Sequence, residues 1–178
     1  MRTRRLKFRE IDVQDVPRIA HYAGDWDVAR MTARIPYPYS EQLAFDWMAN
    51  LAEDEFVRAI LFEGEMIGAV GYIPNGNGTA EIGYWLGKPW WGRGFATEAA
   101  SALMRHCFLD AGFTGLTCCH FTDNAGSARV IAKLGFRRSG MCTAWCDARQ
   151  AEVAAVTYER RRPLLMARPW TIFRRRVA

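Results

Sequence analysis

Nothing in this chain restricts the fold more than Trp90-Trp91-Gly92-Arg93-Gly94-Phe95-Ala96-Thr97-Glu98, caught between a strand-like run, Thr79–Leu86, and a helix-like run over residues 96–110. A strand that passes through a short glycine-bearing loop into a helix builds an anion cradle. Gly92 and Gly94 reach backbone angles closed to other residues, so successive amide hydrogens converge on one point. The helix adds its free N–H groups and the positive end of its dipole. Arg93 adds a mobile cation. The loop suits a phosphate or pyrophosphate.

Three readings of the loop compete. A Walker-type loop needs a lysine and a hydroxyl residue after its last glycine, and Phe95-Ala96 are neither. A dinucleotide fold wants the loop early in a parallel βαβ unit, with an acidic residue about 20 positions on. Asp110 and Asp123 lie somewhat near that window, but no strand ends at Asp110 and the loop is mid-chain. A tight turn without a ligand is the plain alternative for a lone Gly-x-Gly.

The neighbouring residues favour another reading. The chain runs Ala80-Glu81-Ile82-Gly83-Tyr84-Trp85-Leu86, then the loop, then Asn124-Ala125-Gly126-Ser127-Ala128-Arg129-Val130-Ile131-Ala132-Lys133-Leu134-Gly135-Phe136. In this order the motifs resemble the GNAT superfamily of acetyl-CoA-dependent N-acetyltransferases, over residues 4–160. Within it they look like the branch of ribosomal-protein N-terminal acetyltransferases of the Rim type. The wider superfamily places Arg or Gln where Trp91 stands, and a Trp-Gly pair there is familiar in the Rim-like branch.

The resemblance implies an α/β (α+β) single domain. Its mixed, mostly antiparallel twisted sheet would be flanked by helices and splayed at the acetyl-CoA loop. It implies transfer of the acetyl group of acetyl-CoA to a primary amine, either a protein N-terminus or a small-molecule amine. Backbone groups of Trp85, Leu86 and Gly87 would serve the pantetheine amides. Trp91, Gly92, Arg93, Gly94, Phe95, Ala96 and Thr97 would surround the pyrophosphate. Asn124 would bond the pantetheine arm, and Arg129 joins the cofactor set.

Acetyl transfer from a thioester needs a neutral amine, a donor to the carbonyl oxygen and a proton for the departing thiolate. It needs no metal, because the thioester is already activated. Glu81 is the candidate base. It interrupts an apolar strand, and if Ile82, Tyr84 and Leu86 share one face, Glu81 shares the other with Gly83 and Trp85. Glycine there leaves room for a substrate, and a carboxylate partly removed from water accepts a proton nearer neutrality. An edge-strand glutamate in water is the bland reading. Many superfamily members carry a proton-donating tyrosine along the last helix, where this chain has Ile131. In the Rim-like branch a serine in the first turn is the proposed donor, and Ser127 holds that place, although serine and asparagine at a helix start are also ordinary caps. His120 is an outside candidate for a proton path, while His21 and His106 show no ligand spacing.

A chain of 178 residues, half of them apolar, suffices for one core. The expected division is a domain over 1–163 and a basic, apolar tail over 164–178. Of the +5 net charge, much sits in Arg160-Arg161-Arg162 and Arg174-Arg175-Arg176. Clustered arginines attract phosphates, but no nucleic-acid motif accompanies them, so a solvated tail is expected. The excess charge would also draw in polyanionic coenzyme A. Five cysteines lack metal-ligand spacing and read as reduced thiols. With no apolar run near ~20 residues and no signal segment, a cytoplasmic monomer or homodimer is expected, off the membrane. Two other functions stand beside the enzyme: a coenzyme A sensor that has lost catalysis, and a ribosome- or nucleic-acid-associated binder.

Local signals set the remaining elements. Residues 6–11 alternate as a strand. Asp12 or Asp15 caps a helix to residue 23, with Pro17 in its first turn. Asp25 caps a short helix to residue 32, and a proline-stiffened loop follows over 35–39. Ser40 caps a helix with Leu43, Trp47, Met48 and Leu51 on one face. Residues 56–62 and 66–73 form a hairpin about Glu63-Gly64-Glu65, and Asn75-Gly76-Asn77-Gly78 turns into the strand of Glu81. Ala99, Ala100, Leu103, Met104, Cys107 and Phe108 stripe the long helix, which Gly112 ends. Strands over 116–121, 136–142 and 152–158 complete the sheet, with a helix from Asp123 or Asn124 that ends at Gly135. Acceptor determinants are expected in 31–39 and 142–152, with Tyr37, Tyr39, Trp145 and Asp147 as a possible aromatic, acidic pocket.

Overall fold

A computed structural model describes residues 1–163, so the expected tail over 164–178 lies outside the described residues. Seven strands form one sheet: β1 (Leu6–Arg9), β2 (Phe56–Phe62), β3 (Glu65–Pro74), β4 (Thr79–Leu86), β5 (Gly115–Phe121), β6 (Arg137–Cys146) and β7 (Ala151–Arg161), in the order β1-β2-β3-β4-β5-β7-β6. Every pairing is antiparallel except β4 with β5. That parallel pairing covers only Thr79–Gly115, Ala80–Leu116 and Glu81–Thr117. Beyond Glu81 the two strands part, which is the splay expected at the loop.

Helices cover both faces. On one, α1 (Val16–Ala23) and α3 (Glu41–Ala49) pack on Ala59, Met66, Ala69 and Trp85. On the other, α4 (Phe95–Leu109) and α5 (Ala125–Lys133) bury Ile67, Val70, Ile82, Leu86 and Leu116. The short α2 (Trp26–Ala29) closes the far end of β5, β7 and β6 over Phe121, Cys146 and Ala155. The stripe expected on α4 is buried throughout, joined by Phe95. Phe95, Leu103 and Phe108 are at most 1% exposed, worth about 1.5–3 kcal/mol of apolar burial each.

The caps follow the residues that announced them. Asp25, Ser40 and Asn124 accept from the amides of Asp27, Leu43 and Ser127. Asp12 caps a 3₁₀ turn over Val13–Asp15 that leads into α1.

Four expectations need correction. The short helix stops at Ala29, well before residue 32. On α3 the buried residue is Ala44, with Trp47 and Met48 partly covered. Leu43 is exposed, because it sits about a quarter turn from the face that meets α1. The stretch 142–152 is no free loop: β6 continues to Cys146 and β7 starts at Ala151. The last strand runs past its expected end at residue 158, with Arg160 and Arg161 paired to Leu116 and Gly115.

Candidate active site

The glycine loop leaves β4 where the sheet opens. Gly92 and Gly94 have φ of +74° and +79°, the left-handed region that other L-residues avoid. Gly94 caps α4, and the first helical amide to find a backbone partner is that of Glu98, on Gly94 O at 3.1 Å. The amides of Phe95, Ala96 and Thr97 precede it as the free donors of a helix start.

Residues far off in sequence steady this turn. The Arg5 Nη1 donates to Arg93 O at 3.0 Å, and its Nε to Glu98 at 2.7 Å. Glu98 also accepts from the Thr3 hydroxyl and the Arg5 amide. Burial works against the Glu98 charge, yet these bonds outweigh it and hold the carboxyl below the usual range. Arg93 is less mobile than expected: its guanidinium lies over the rings of Phe95 and Phe62, at 4.9 and 5.2 Å. The Trp91 Nε1 donates to Leu86 O at 2.8 Å, bracing the loop on the end of β4.

The register decides which backbone groups face the opening. Asn75 N–H bonds Thr79 O and Gly87 N–H bonds Ile67 O, so β4 turns its odd-numbered backbone toward β3. Gly87 O also accepts from Trp90. Gly87 is therefore engaged at both backbone groups, and Trp85 faces β3. The free edge is formed by the backbone of Tyr84 and the N–H of Leu86, whose carbonyl takes Trp91 Nε1. The backbone groups of Trp85 and Gly87, expected at the opening, are thus turned to β3 and to the turn over 88–90.

Glu81 is the last β4 residue to pair with β5, so it stands at the vertex of the fork. It is exposed, as is Gly83 on the same face; a Cβ added at Gly83 would meet no atom within 4 Å. Room for a substrate is present, whereas the partial removal of Glu81 from water is not supplied by the chain itself. Cys119 Sγ is 3.8 Å from Glu81 Oε1. Although Cys119 shows some surface to solvent, crowding at its sulfur and then the Glu81 carboxylate push the thiol up to about 11.

On the opposite face, Ser127 lies in the first turn of α5. Its amide donates to Asn124 Oδ1 at 2.9 Å, and its Oγ is 3.3 Å from the Tyr84 hydroxyl. Arg129 is exposed, on the side of α5 away from Ser127, and its side chain makes no hydrogen bond or ion pair among the described residues. His120 is buried. Its Nδ1 faces Phe121 O at 2.7 Å, which only accepts, so Nδ1 carries the proton and Nε2 takes the Tyr158 hydroxyl at 3.1 Å. Alternation along β5 places His120 on the α5 face and Cys119 on the Glu81 face. The sheet thus separates His120 from Glu81.

The expected acceptor pocket is not assembled. Tyr39 packs beside α1 and α3, while Trp145 lies on the α4–α5 side of β6, opposite Cys146. Ion pairs between residues far apart in the chain, with no signal in the sequence, cross the mouth of the fork. Lys88 meets Asp27 at 2.6 Å, Asp27 meets Arg30 at 3.1 Å, and Asp123 meets Arg149 at 2.9 Å and Arg30 at 3.9 Å.

No helix of the described residues is long and apolar enough to cross a membrane. Among the same residues no cluster of His, Cys, Asp or Glu has the makings of a metal site.

Known proteins are similar to this chain in sequence and in fold. The p20 protein of Bacillus licheniformis, described as an uncharacterized N-acetyltransferase, is 28% identical over 151 residues, covering 78% of this chain and 83% of that protein. Among solved structures, RimL, a ribosomal L7/L12 alpha-N-protein acetyltransferase in complex with coenzyme A, superposes with a TM-score of 0.78 at 19% identity, over 89% of this chain and 95% of that one. The ribosomal-protein-S5-alanine acetyltransferase of Vibrio fischeri gives 0.76 at 18%, over 90% and 95%. The profile of the Acetyltransferase (GNAT) domain matches residues 5–137, so the chain belongs to the GNAT acetyltransferase family and is an acetyltransferase.

Proposed function

We propose that this acetyltransferase takes its acetyl group from acetyl-CoA and passes it to a primary amine by direct attack, with Glu81 as the base. The observation that carries the reading is the fork: β4 and β5 part immediately after Glu81, and the strand then runs into the glycine cradle. A pyrophosphate fits the amides of Phe95, Ala96 and Thr97, and the open edge of Tyr84 and Leu86 suits the pantetheine amides. The thioester then reaches the vertex. The acceptor approaches from the face of Glu81 and Gly83, loses its proton to Glu81 directly or through a water, and forms the C–N bond as the C–S bond breaks. Ser127 donates toward the departing sulfur.

A protein N-terminus is the favoured acceptor, with small-molecule amines as the alternative. Similarity in fold to the ribosomal-protein acetyltransferases supports that choice, as does the open ground beside Gly83.

A thiol-release assay over N-terminal peptides and small amines identifies the acceptor. Against that acceptor, Glu81→Gln should bind acetyl-CoA normally and lose about 10²-fold in turnover. Its residual rate should climb with pH, since unassisted attack needs an amine already neutral. Equal turnover of wild type and Glu81→Gln across the pH range would remove Glu81 from the mechanism.

A further inference from the structure

Tyr84 brings to the fork a polar side chain to which the reaction scheme above gives no task. It leaves β4 three residues beyond the last pairing with β5, on the α4–α5 face, and is half-buried. Its hydroxyl reaches across the opening to Ser127 Oγ at 3.3 Å, so this contact joins the two arms of the fork. The separation is long for an O–H···O bond, as catalytic contacts often are before a ligand tightens them.

The hydrogen-bond inventory of Ser127 gives this contact a direction. Its backbone N–H is fixed on Asn124 Oδ1 at 2.9 Å, which locks the first turn of α5. Its hydroxyl has one proton and two lone pairs. A phenol is the better donor of two hydroxyls. Burial, only partly offset by the Ser127 bond, also raises the Tyr84 phenol above its ordinary value, so it keeps its proton throughout the neutral range. With Tyr84 donating into Oγ, the serine proton must turn to another acceptor. Donation into Oγ also polarises the serine O–H and strengthens its own donation.

We propose that the Tyr84 hydroxyl positions Ser127, aiming the serine proton at the coenzyme A sulfur as the acetyl group leaves. Tyr84 itself touches neither the sulfur nor the amine. No net proton passes through it: the sulfur gains a hydrogen bond while negative charge develops, and water completes its protonation. Farther along α5, Ile131 is 3% exposed in the core, so the phenol at this turn comes from β4.

The inference rests on the proposed coenzyme A site and on the role of Ser127, and its test keeps them apart without needing the acceptor. Coenzyme A itself is the probe. Calorimetry establishes binding, and the pH dependence of thiol alkylation in the complex gives the titration of the bound sulfur. Tyr84→Phe keeps the packed ring and should leave coenzyme A affinity within about twofold. The bound thiol should titrate about 0.5 to 1 pH unit higher than in wild type, the worth of one ordinary hydrogen bond. Ser127→Ala should raise it at least as far, and adding Tyr84→Phe to Ser127→Ala should change nothing more. An unchanged titration in Tyr84→Phe, with Ser127→Ala shifted, overturns the inference and leaves Ser127 in place. Additive shifts also overturn it, since Tyr84 would then act elsewhere. If neither variant shifts the titration, the role of Ser127 fails and the inference with it. Failure of wild type to bind coenzyme A removes the proposed donor site.

Discussion

Gly94 does two jobs, and replacing it by two different residues separates them. Its φ of +79° costs an ordinary L-residue about 1–2 kcal/mol. The chain itself leaves space, since an added Cβ would come no closer than 3.5 Å to Arg5 Nη2. Gly94→Ala should therefore fold and lose about 2–8 °C in Tm, at roughly 2–4 °C per kcal/mol for a chain of this size. Asparagine tolerates the left-handed region, so Gly94→Asn should stay within about 2 °C of wild type. Both place a side chain beside the free amides of Phe95, Ala96 and Thr97. Loss of one charge-assisted bond to a phosphate costs about 1.5–3 kcal/mol, which is roughly 10- to 150-fold in Kd. Thermal melts and calorimetry with coenzyme A report the two effects separately. A folded Gly94→Asn protein that binds coenzyme A as tightly as wild type would refute the cradle.

Two further perturbations probe the supports of the site. Trp91→Phe keeps a ring but loses the 2.8 Å bond to Leu86 O, so coenzyme A should bind about 2- to 10-fold more weakly by calorimetry; unchanged affinity would show that the loop stands without it. Asp15 is 2% exposed and takes Arg9 in two bonds of 2.6 and 2.7 Å, so Asp15→Asn should cost about 2–3 kcal/mol in urea unfolding at neutral pH. Burial opposes the Asp15 charge, but the Arg9 bonds and the Asp12 amide overcome it and lower the carboxyl. A lowered native value means that the stabilisation is complete above the unfolded value of about 3.9 and is lost as pH falls through the native one. The gap between wild type and Asp15→Asn should thus be flat from about pH 5 to 7 and close below about pH 4. A gap independent of pH would contradict this.

What the sequence disclosed was local. The α4 stripe, the caps at Asp25, Ser40 and Asn124, and the positive φ of Gly92 and Gly94 each follow from a residue and its near neighbours. Alternation also placed Glu81, Gly83 and Trp85 on one face of β4 and Tyr84 on the other. The bonds of Arg5 to Glu98, of Tyr84 to Ser127 and of Arg149 to Asp123 join positions far apart, which no periodicity encodes. β6 was cut short for a physical reason. It is an edge strand exposed along most of both faces, so 143–146 carry little two-residue hydrophobic rhythm to mark the strand. That Gly87 and Trp85 turn their amides away from the opening was not legible either, because the direction of a strand's amides depends on its register with β3, which appears only in three dimensions.

Direct transfer at the fork has one chemical rival, an acetyl group held on the Cys119 thiol beside Glu81. A thiol pushed up to about 11 is protonated at neutral pH and attacks poorly, which favours direct transfer. Initial rates measured while acetyl-CoA and the amine are both varied decide between them, with Cys119→Ser as the partner experiment. Direct transfer predicts reciprocal plots that intersect and a Cys119→Ser kcat within about twofold of wild type. Parallel lines, with an acetyl group trapped on Cys119 and turnover lost in Cys119→Ser, would contradict it.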